Sequence, residues 1–291
     1  VEPAHQPVLL AEALEHLAVK PGGLYVDGTV GLGGHAAEIL RRCAPDGRLL
    51  GTDRDAEALA LARARLAEFG ERVWLRQADF RELPDLLASR RPDGILLDLG
   101  TSSLQLDDPE RGFSFRRDGP LDMRMDRGAG ENAADLLRRL PERALADLIH
   151  AFGEERAARR VAHAIVRARA LRPLERTGEL AALVRGAVRG RGRLDPATRT
   201  FQALRIAVNR ELEGLDTACQ ALAGILAPQG RLVAISFHGL EDRQVKHAFR
   251  SVAGQGFRLL TRKPVRPGPE EARANPRSRS ARLRALVREA A

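Results

Sequence analysis

Leu24-Tyr-Val-Asp-Gly-Thr-Val-Gly-Leu-Gly-Gly-His-Ala36 is the stretch that decides the fold. Leu24, Tyr25 and Val26 form a short apolar run, the pattern of a buried strand, and Asp27 closes it. Gly28, Gly31, Gly33 and Gly34 then let the backbone turn tightly and come close to a ligand. His35 to Cys43 carries Ile39 and Leu40 among alanines and reads as a helix. A strand, a glycine loop and a helix N-terminus make the nucleotide-cradling corner of a doubly wound α/β domain. The stretch from Gly31 to Ala36 also fits the dinucleotide fingerprint, so the glycines alone do not separate NAD from S-adenosylmethionine.

Outward from this corner the α/β pattern continues. Val8 to Leu17 has a helical apolar stripe, broken by Pro21-Gly22-Gly23. Arg48 to Asp53 reads as a second strand, and Asp53 stands 22 residues after Gly31, where an acid would hydrogen-bond ribose hydroxyls. Asp55 is the better cap for the helix expected over Ala56 to Phe69, which frees Asp53 for a ligand. Val73 to Leu75 reads as a third strand. After it, Asp79 is placed to accept from an adenine amine, and Phe80 either to pack on the ring or to fill the core. Gly94 to Leu99 is a fourth strand, apolar except for Asp98 near its C-terminal end, where the ligands of such sheets sit.

The pattern then changes. From Leu106 to Arg199 no clear strand is expected, and helices read over Ala133–Leu140, Pro141–Phe152, Glu154–Leu171 and Gly178–Val188, with a basic loop at Gly190–Arg193. One helix is expected over Pro196–Leu226, a fifth strand over Arg231–Phe237 and a helix over Leu240–Phe249. Phe257–Leu260 and Leu283–Val287 read as two last strands, with a long loop over Arg262–Arg282 between them. The expected organisation is an α/β domain of residues 1–105 and 200–291, carrying an inserted helical domain over 106–199 that serves substrate recognition.

Charge points to a partner. Residues 150–210 hold 14 Arg against 5 acids, and residues 258–288 hold 10 basic residues against 2 acids, while the remainder is net acidic. An acidic body with two basic segments suggests a polyanion. No run of 18 apolar residues crosses a membrane, and the N-terminal residues lack the basic and apolar regions of a signal peptide, so a cytoplasmic protein is expected. Cys43 and Cys219 give neither a disulfide framework nor zinc spacing, and no pair among His5, His150, His163 and His247 has metal-ligand support.

The chemistry follows from what is missing. A dehydrogenase needs a proton-transfer group beside its nicotinamide, and no Tyr-x-x-x-Lys pattern exists: Tyr25 is the only Tyr and lies inside the first strand. Two final strands after a fifth strand and helix fit a seven-stranded methyltransferase sheet, so S-adenosylmethionine is preferred as cofactor. Methylation at pyrimidine carbon 5 would call for a Cys nucleophile, and both cysteines read as helical, which leaves nitrogen or oxygen. An exocyclic amine has a delocalised lone pair and needs an acceptor for its hydrogens; Asp98 is the catalytic candidate. A base in structured RNA must also be presented outside its stack.

These residues resemble a known family. His5-Gln-Pro-Val-Leu-Leu, Asp27-Gly-Thr-Val-Gly-Leu-Gly-Gly-His, Asp98-Leu-Gly-Thr-Ser-Ser, Arg111-Gly-Phe-Ser-Phe and Gly119-Pro-Leu-Asp-Met-Arg-Met-Asp look like the ribosomal small-subunit methyltransferase H family, also called MraW. So do Phe201-Gln-Ala-Leu-Arg-Ile-Ala-Val-Asn, Ile235-Ser-Phe-His with Leu240-Glu-Asp-Arg, and Asn275-Pro-Arg-Ser-Arg-Ser. The resemblance implies a class I S-adenosylmethionine-dependent methyltransferase with a Rossmann-like, seven-stranded sheet. It implies methylation of a cytidine N4 in the decoding region of 16S rRNA, within the small ribosomal subunit. It implies cofactor contacts at Gly33, Gly34, His35, Asp53, Phe80, Asp98 and Gln105. One departure is Gly239, where the family has Ser, which leaves the role of His238 open.

Overall fold

The computed structural model describes residues 7–188 and 194–290, so the basic loop at Gly190–Arg193 lies outside the described residues. The chain divides into two compact units, Val1–Gly100 with Gly214–Ala291, and Thr101–Glu213.

The first unit is built on a seven-stranded sheet: β1 Leu24–Asp27, β2 Arg48–Asp53, β3 Val73–Gln77, β4 Gly94–Asp98, β5 Arg231–Ser236, β6 Phe257–Leu259 and β7 Arg282–Arg288. The strand order is β3-β2-β1-β4-β5-β7-β6. The first five strands pair in parallel, and β7 runs antiparallel between β5 and β6. The central strands are buried apolar runs, as a sheet covered on both faces requires: Ile95, Leu96 and Leu97 of β4 and Leu232 and Val233 of β5 are fully buried. Helix α1 Leu10–Leu17 precedes β1, and α2 Gly34–Arg42, α3 Ala56–Leu66 and α4 Leu83–Leu87 follow β1, β2 and β3. Asp55 caps α3 by accepting from Glu57 and Ala58 N–H, which settles the choice between Asp53 and Asp55 for that role. Leu9, Leu14, Leu17, Ile39, Leu40, Leu49 and Leu66 join the core on one face of the sheet.

The second unit is helical. Its elements are α5 Ser103–Asp107, α6 Ala133–Arg139, α7 Glu142–Gly153, α8 Ala158–Arg169, α9 Thr177–Ala187 and α10 Ala197–Asn209. Among the described residues it contains no strand, only an isolated bridge between Pro120 and Arg176. Leu137, Leu145, Ile149, Val161, Ile165, Leu180, Val184 and Leu204 form its own core. The unit extends beyond the expected limits of 106–199 at both ends, and the reason is Asn209. This buried amide accepts from Met125 N at 2.7 Å and donates to Met123 O at 2.7 Å and to Arg205 O at 2.9 Å. It fastens the end of α10 to the loop that carries Met123, whose φ of 62° is left-handed. Buried Arg111 holds the same loop by donating from Nη2 to the carbonyls of Arg124 and Met125 at 3.1 and 3.0 Å.

The helix expected over Pro196–Leu226 is two helices, α10 and then α11 Leu215–Gly224. The break follows Asn209, where Arg210 (φ 49°) and Gly214 (φ 64°) turn left-handed and Glu211 takes both nitrogens of the Arg205 fork at 2.9 and 2.8 Å. Local helical periodicity ran across this boundary because both pieces are amphipathic. Helix α12 spans Gly239–Val252. The long loop expected over Arg262–Arg282 holds α13 Pro269–Ala274 and a 3-10 turn over Pro276–Ser280, whose Pro residues mark first-turn positions.

Replacing Asn209 by Ala strips partners from the Met125 N–H and the Met123 carbonyl inside the protein. The variant is expected to lose about 2–3 kcal/mol of stability by urea unfolding, the range for orphaned buried polar groups. A loss within about 0.5 kcal/mol, the scale of ordinary surface substitutions, would show that the amide does not fix this loop.

Candidate active site

The parallel strands wind outward in opposite directions from the β1–β4 pair, so the switch point of the sheet lies between these two strands. Open α/β sheets bind their ligands there, beyond the carboxyl ends of the strands. Asp27 ends β1, Asp53 ends β2 and Asp98 ends β4, so three carboxylates meet the glycine turn.

The turn is stitched to its neighbours. Gly28 N donates to Leu96 O at 2.9 Å, Val30 N to Thr52 O at 2.8 Å and Gly33 N to Val30 O at 2.7 Å. Gly33 is the N-cap of α2 with φ 78°, a conformation that favours glycine. A Cβ on Gly34 would stand 2.5 Å from Pro7 Cγ, so glycine is required there by close approach. Thr29 is the tie to β4: its Oγ1 accepts from Asp98 N at 2.6 Å, and its own N–H donates to Asp27 Oδ1 at 3.2 Å.

Each carboxylate has a different set of partners. Asp53 Oδ2 accepts from Gly31 N at 2.8 Å and Oδ1 from Asp55 N at 2.9 Å, which fixes its plane and leaves each oxygen a further lone pair. Burial raises its carboxyl above the usual range against the pull of these two amides. Asp27 is only 1% exposed, and burial, aided by the Asp53 charge, pushes its carboxyl up to about 7. Asp98 Oδ1 is buried with no hydrogen-bond partner. Its carboxyl stands well above the ordinary range, first through burial and then through the charges of Asp27 and Glu241.

His35 comes to Asp98 from the first turn of α2. Its Nε2 lies 3.0 Å from the Val8 carbonyl, which can only accept, so that nitrogen carries a proton. Nδ1 then faces Asp98 Oδ2 at 3.6 Å. Phe80 is buried, its Cβ close under Gly28, and the Arg81 guanidinium lies over its ring at 4.6 Å from the centroid. Asp79 does not stand open for an adenine amine as expected. Both its oxygens accept from Arg81 Nη1 at 2.9 Å, Arg54 Nε lies 3.4 Å away, and it caps the 3-10 turn that begins at Phe80. Arg81 on the same turn and Arg54 just after β2 hold its oxygens instead.

The structure thus gathers Gly33, Gly34, His35, Asp53, Phe80 and Asp98 in the sheet unit. Gln105 belongs to the helical unit, where it is 3% exposed and closes a capping box: Ser102 N donates to its Oε1 at 3.0 Å and its own N–H to Ser102 Oγ at 3.3 Å. Sequence reasoning missed Asp27, Thr29 and Glu241. Asp27 read only as a strand end, although an acid just before the turn on the central strand was the available signal. Glu241 sits in a quoted motif with no role. It is buried and caps α12, with Oε2 accepting from Phe237 N at 2.9 Å and from His238 N at 3.3 Å. His238 completes that cap, its Nδ1 accepting from Glu241 N at 3.4 Å. A Cβ on Gly239 would meet only Arg282 Nη1 at 3.7 Å, so the family's Ser would fit here and the departure removes a hydroxyl without relieving strain.

Residues 2–289 match the MraW methylase family. A relative from Syntrophobacter fumaroxidans, named ribosomal RNA small subunit methyltransferase H, is 52% identical over 98% of this chain and 96% of its own. A relative of the same name from Geobacter sp. strain M21 is 51% identical over 97% of each chain. Among solved structures, a putative rRNA-methylase from Clostridium thermocellum aligns over 97% of this chain and 98% of its own, at 13% identity and a TM-score of 0.48. With the family match spanning nearly the whole sequence, the chain belongs to the MraW methylase family, and its fold is that of an α/β, S-adenosylmethionine-dependent methyltransferase.

Proposed function

We propose that this protein methylates the N4 amine of a cytidine in the decoding region of 16S rRNA, acting in the cytoplasm on the small ribosomal subunit. The observation that carries the reading is Asp98: a carboxylate at the switch point, with Oδ1 buried and without a partner. An orphaned acceptor of this kind costs free energy unless a ligand answers it.

The residues present fit S-adenosylmethionine. Asp53, oriented by the Gly31 and Asp55 amides, would take the ribose hydroxyls, and Gly33 and Gly34 bring the backbone of the α2 N-terminus close. Phe80 would back the adenine with its buried ring. Asp27 and Asp98 give the site an excess of carboxylates, which complements a cation. The cofactor supplies a methyl group activated on a sulfonium. The chain supplies position and an acceptor: Asp98 would receive a hydrogen bond from the amine and then its proton, which raises the electron density on a nitrogen otherwise conjugated into the ring. We assign the helical unit to substrate recognition.

Carbon methylation is disfavoured by the cysteines. Cys219 lies fully buried in α11 with its thiol pushed up to about 12 by burial, and Cys43 is buried at the end of α2 with its thiol also raised. A nicotinamide reaction lacks its Tyr: the Tyr25 hydroxyl accepts from Lys20 N at 2.8 Å within the core of the sheet unit. The polyanion partner is supported by exposed Arg258, Arg262, Lys263, Arg266, Arg273, Arg277 and Arg279 in the C-terminal segment and by exposed Arg156, Arg159, Arg160 and Arg167 on the helical unit. Not every arginine there is available. Arg284 is 7% exposed and forks onto Asp242 at 2.7 and 3.1 Å.

Incubation with labelled S-adenosylmethionine and small subunits lacking the modification, followed by digestion to nucleosides, is expected to place all label in N4-methylcytidine. Label in another nucleoside rejects the assignment, and RNA binding with no label would indicate a non-catalytic RNA-binding protein. Asp53→Ala is expected to weaken cofactor binding, measured calorimetrically, by about 10- to 100-fold, the loss of one charge-assisted hydrogen bond or slightly more. Unchanged affinity would mean that the ribose is held elsewhere.

A further inference from the structure

Methylation of a neutral amine by a sulfonium yields a neutral methylamine, a neutral thioether and one proton. That proton needs a path out of a buried site. Asp98 is its first acceptor in the reading above, on which this inference rests. Asp98 alone is a poor place to leave it: burial and the charges of Asp27 and Glu241 all favour the protonated acid, which can neither accept from the next amine nor release its proton readily.

The structure sets one base against that carboxyl. His35 is 6% exposed, and its ring is fixed by the bond from Nε2 to the Val8 carbonyl at 3.0 Å. The proton required on Nε2 defines the tautomer, so in the neutral ring Nδ1 presents its lone pair, 3.6 Å from Asp98 Oδ2. The opposite oxygen, Oδ1, is the one without a partner. The carboxyl therefore has one buried oxygen with no partner in the protein and one oxygen facing an imidazole, the arrangement of a base and its orienting group. The backbone reinforces it, since Asp98 N is held by Thr29 Oγ1 and His35 follows directly on the glycine N-cap of α2.

We infer that the His35 side chain is the positioning residue of Asp98: it holds the carboxyl from the far side and takes up its proton, so that Asp98 can accept the one the methylated amine gives. In the resting site the pair shares one proton. That proton moves first, the O–H bond on the His35 side breaking as the Nδ1–H bond forms, so Asp98 is ionised when the amine hands over its proton, and the step ends with Asp98 neutral and His35 imidazolium. The alternative is purely structural, with His35 as a tether for the Val8 segment.

The two roles separate in a pH profile. His35→Gln retains an amide that can donate to Val8 O but has no titratable nitrogen. Single-turnover methylation of undermethylated small subunits is measured from acid to alkaline pH for the wild type, His35→Gln, His35→Ala and Asp98→Asn, with cofactor affinity measured in parallel. His35→Gln is expected to lose about 10-fold in rate at neutral pH and saturating cofactor. Its acid limb should move to higher pH by about one unit, because Asp98 must then ionise against burial, Asp27 and Glu241 without a neighbouring base. An acid limb superimposed on that of the wild type overturns the inference and leaves His35 a tether. Should His35→Gln fail to fold, the 15N shifts of His35 in the wild-type protein and in Asp98→Asn decide. A titration that moves when Asp98 is changed supports the shared proton, and one that does not move overturns it. Asp98→Asn is expected to lose about 100-fold or more in rate at saturating cofactor; if it methylates normally, the reading of Asp98 itself fails, a result distinct from failure of the His35 role.

Discussion

The hydrogen bond from Asp98 N to Thr29 Oγ1, at 2.6 Å, joins the glycine turn after β1 to the end of β4. Everything at the site depends on that closure. It holds two adjacent strand ends together at the switch point, and it sets Asp98 beside Asp27 where water is scarce. Placing carboxyls there raises each of them, which is a cost in the folded state. In the proposed function that cost is retained because a buried acid with a raised pKa is a usable proton acceptor, and because a cluster of acids attracts a cation. Burial here tunes chemistry more than it stabilises the fold.

The rest of the molecule is arranged around opposite electrostatics. The site end of the sheet is acidic, whereas the C-terminal segment and the helical unit expose rows of arginine. In the proposed function this surface would hold an anionic backbone and the crevice a cationic cofactor, so that neither ligand would compete for the other's groups. Several arginines that counted toward the basic segments serve the fold instead. Arg288 donates from Nη1 to the Gly224 and Leu226 carbonyls, and Arg284 pairs with Asp242.

The α/β half was legible because its signals are local. Short apolar runs ending in Asp gave β1, β2 and β4, and the glycine run gave the turn. The two final strands were read from the apolar stretches Phe257–Leu260 and Leu283–Val287. The helix break after Asn209 was not legible, since its cause is a set of bonds to Met123 and Met125 more than 80 residues earlier in the chain. The same distant bonds explain why the helical unit reaches to Glu213. At the site, Asp53 and Asp98 could be found from position alone. Thr29 could not, because a threonine in a glycine loop looks like turn chemistry until β4 is placed beside it. Asp79 misled for the converse reason: it had the right spacing for a ligand, yet Arg54 and Arg81 lie close enough to claim it.

The central claim is that buried, proton-holding carboxyls face the activated methyl group. It is tested most directly by calorimetric titration of the cofactor and of its neutral thioether product in buffers of different ionisation enthalpy. A cation favours the ionised form of a carboxyl whose pKa is raised, so S-adenosylmethionine should release protons on binding and should bind more tightly as pH rises through about 7, the value to which Asp27 is pushed. The thioether should do so far less. Equal proton release for both ligands, or none for either, would contradict the account.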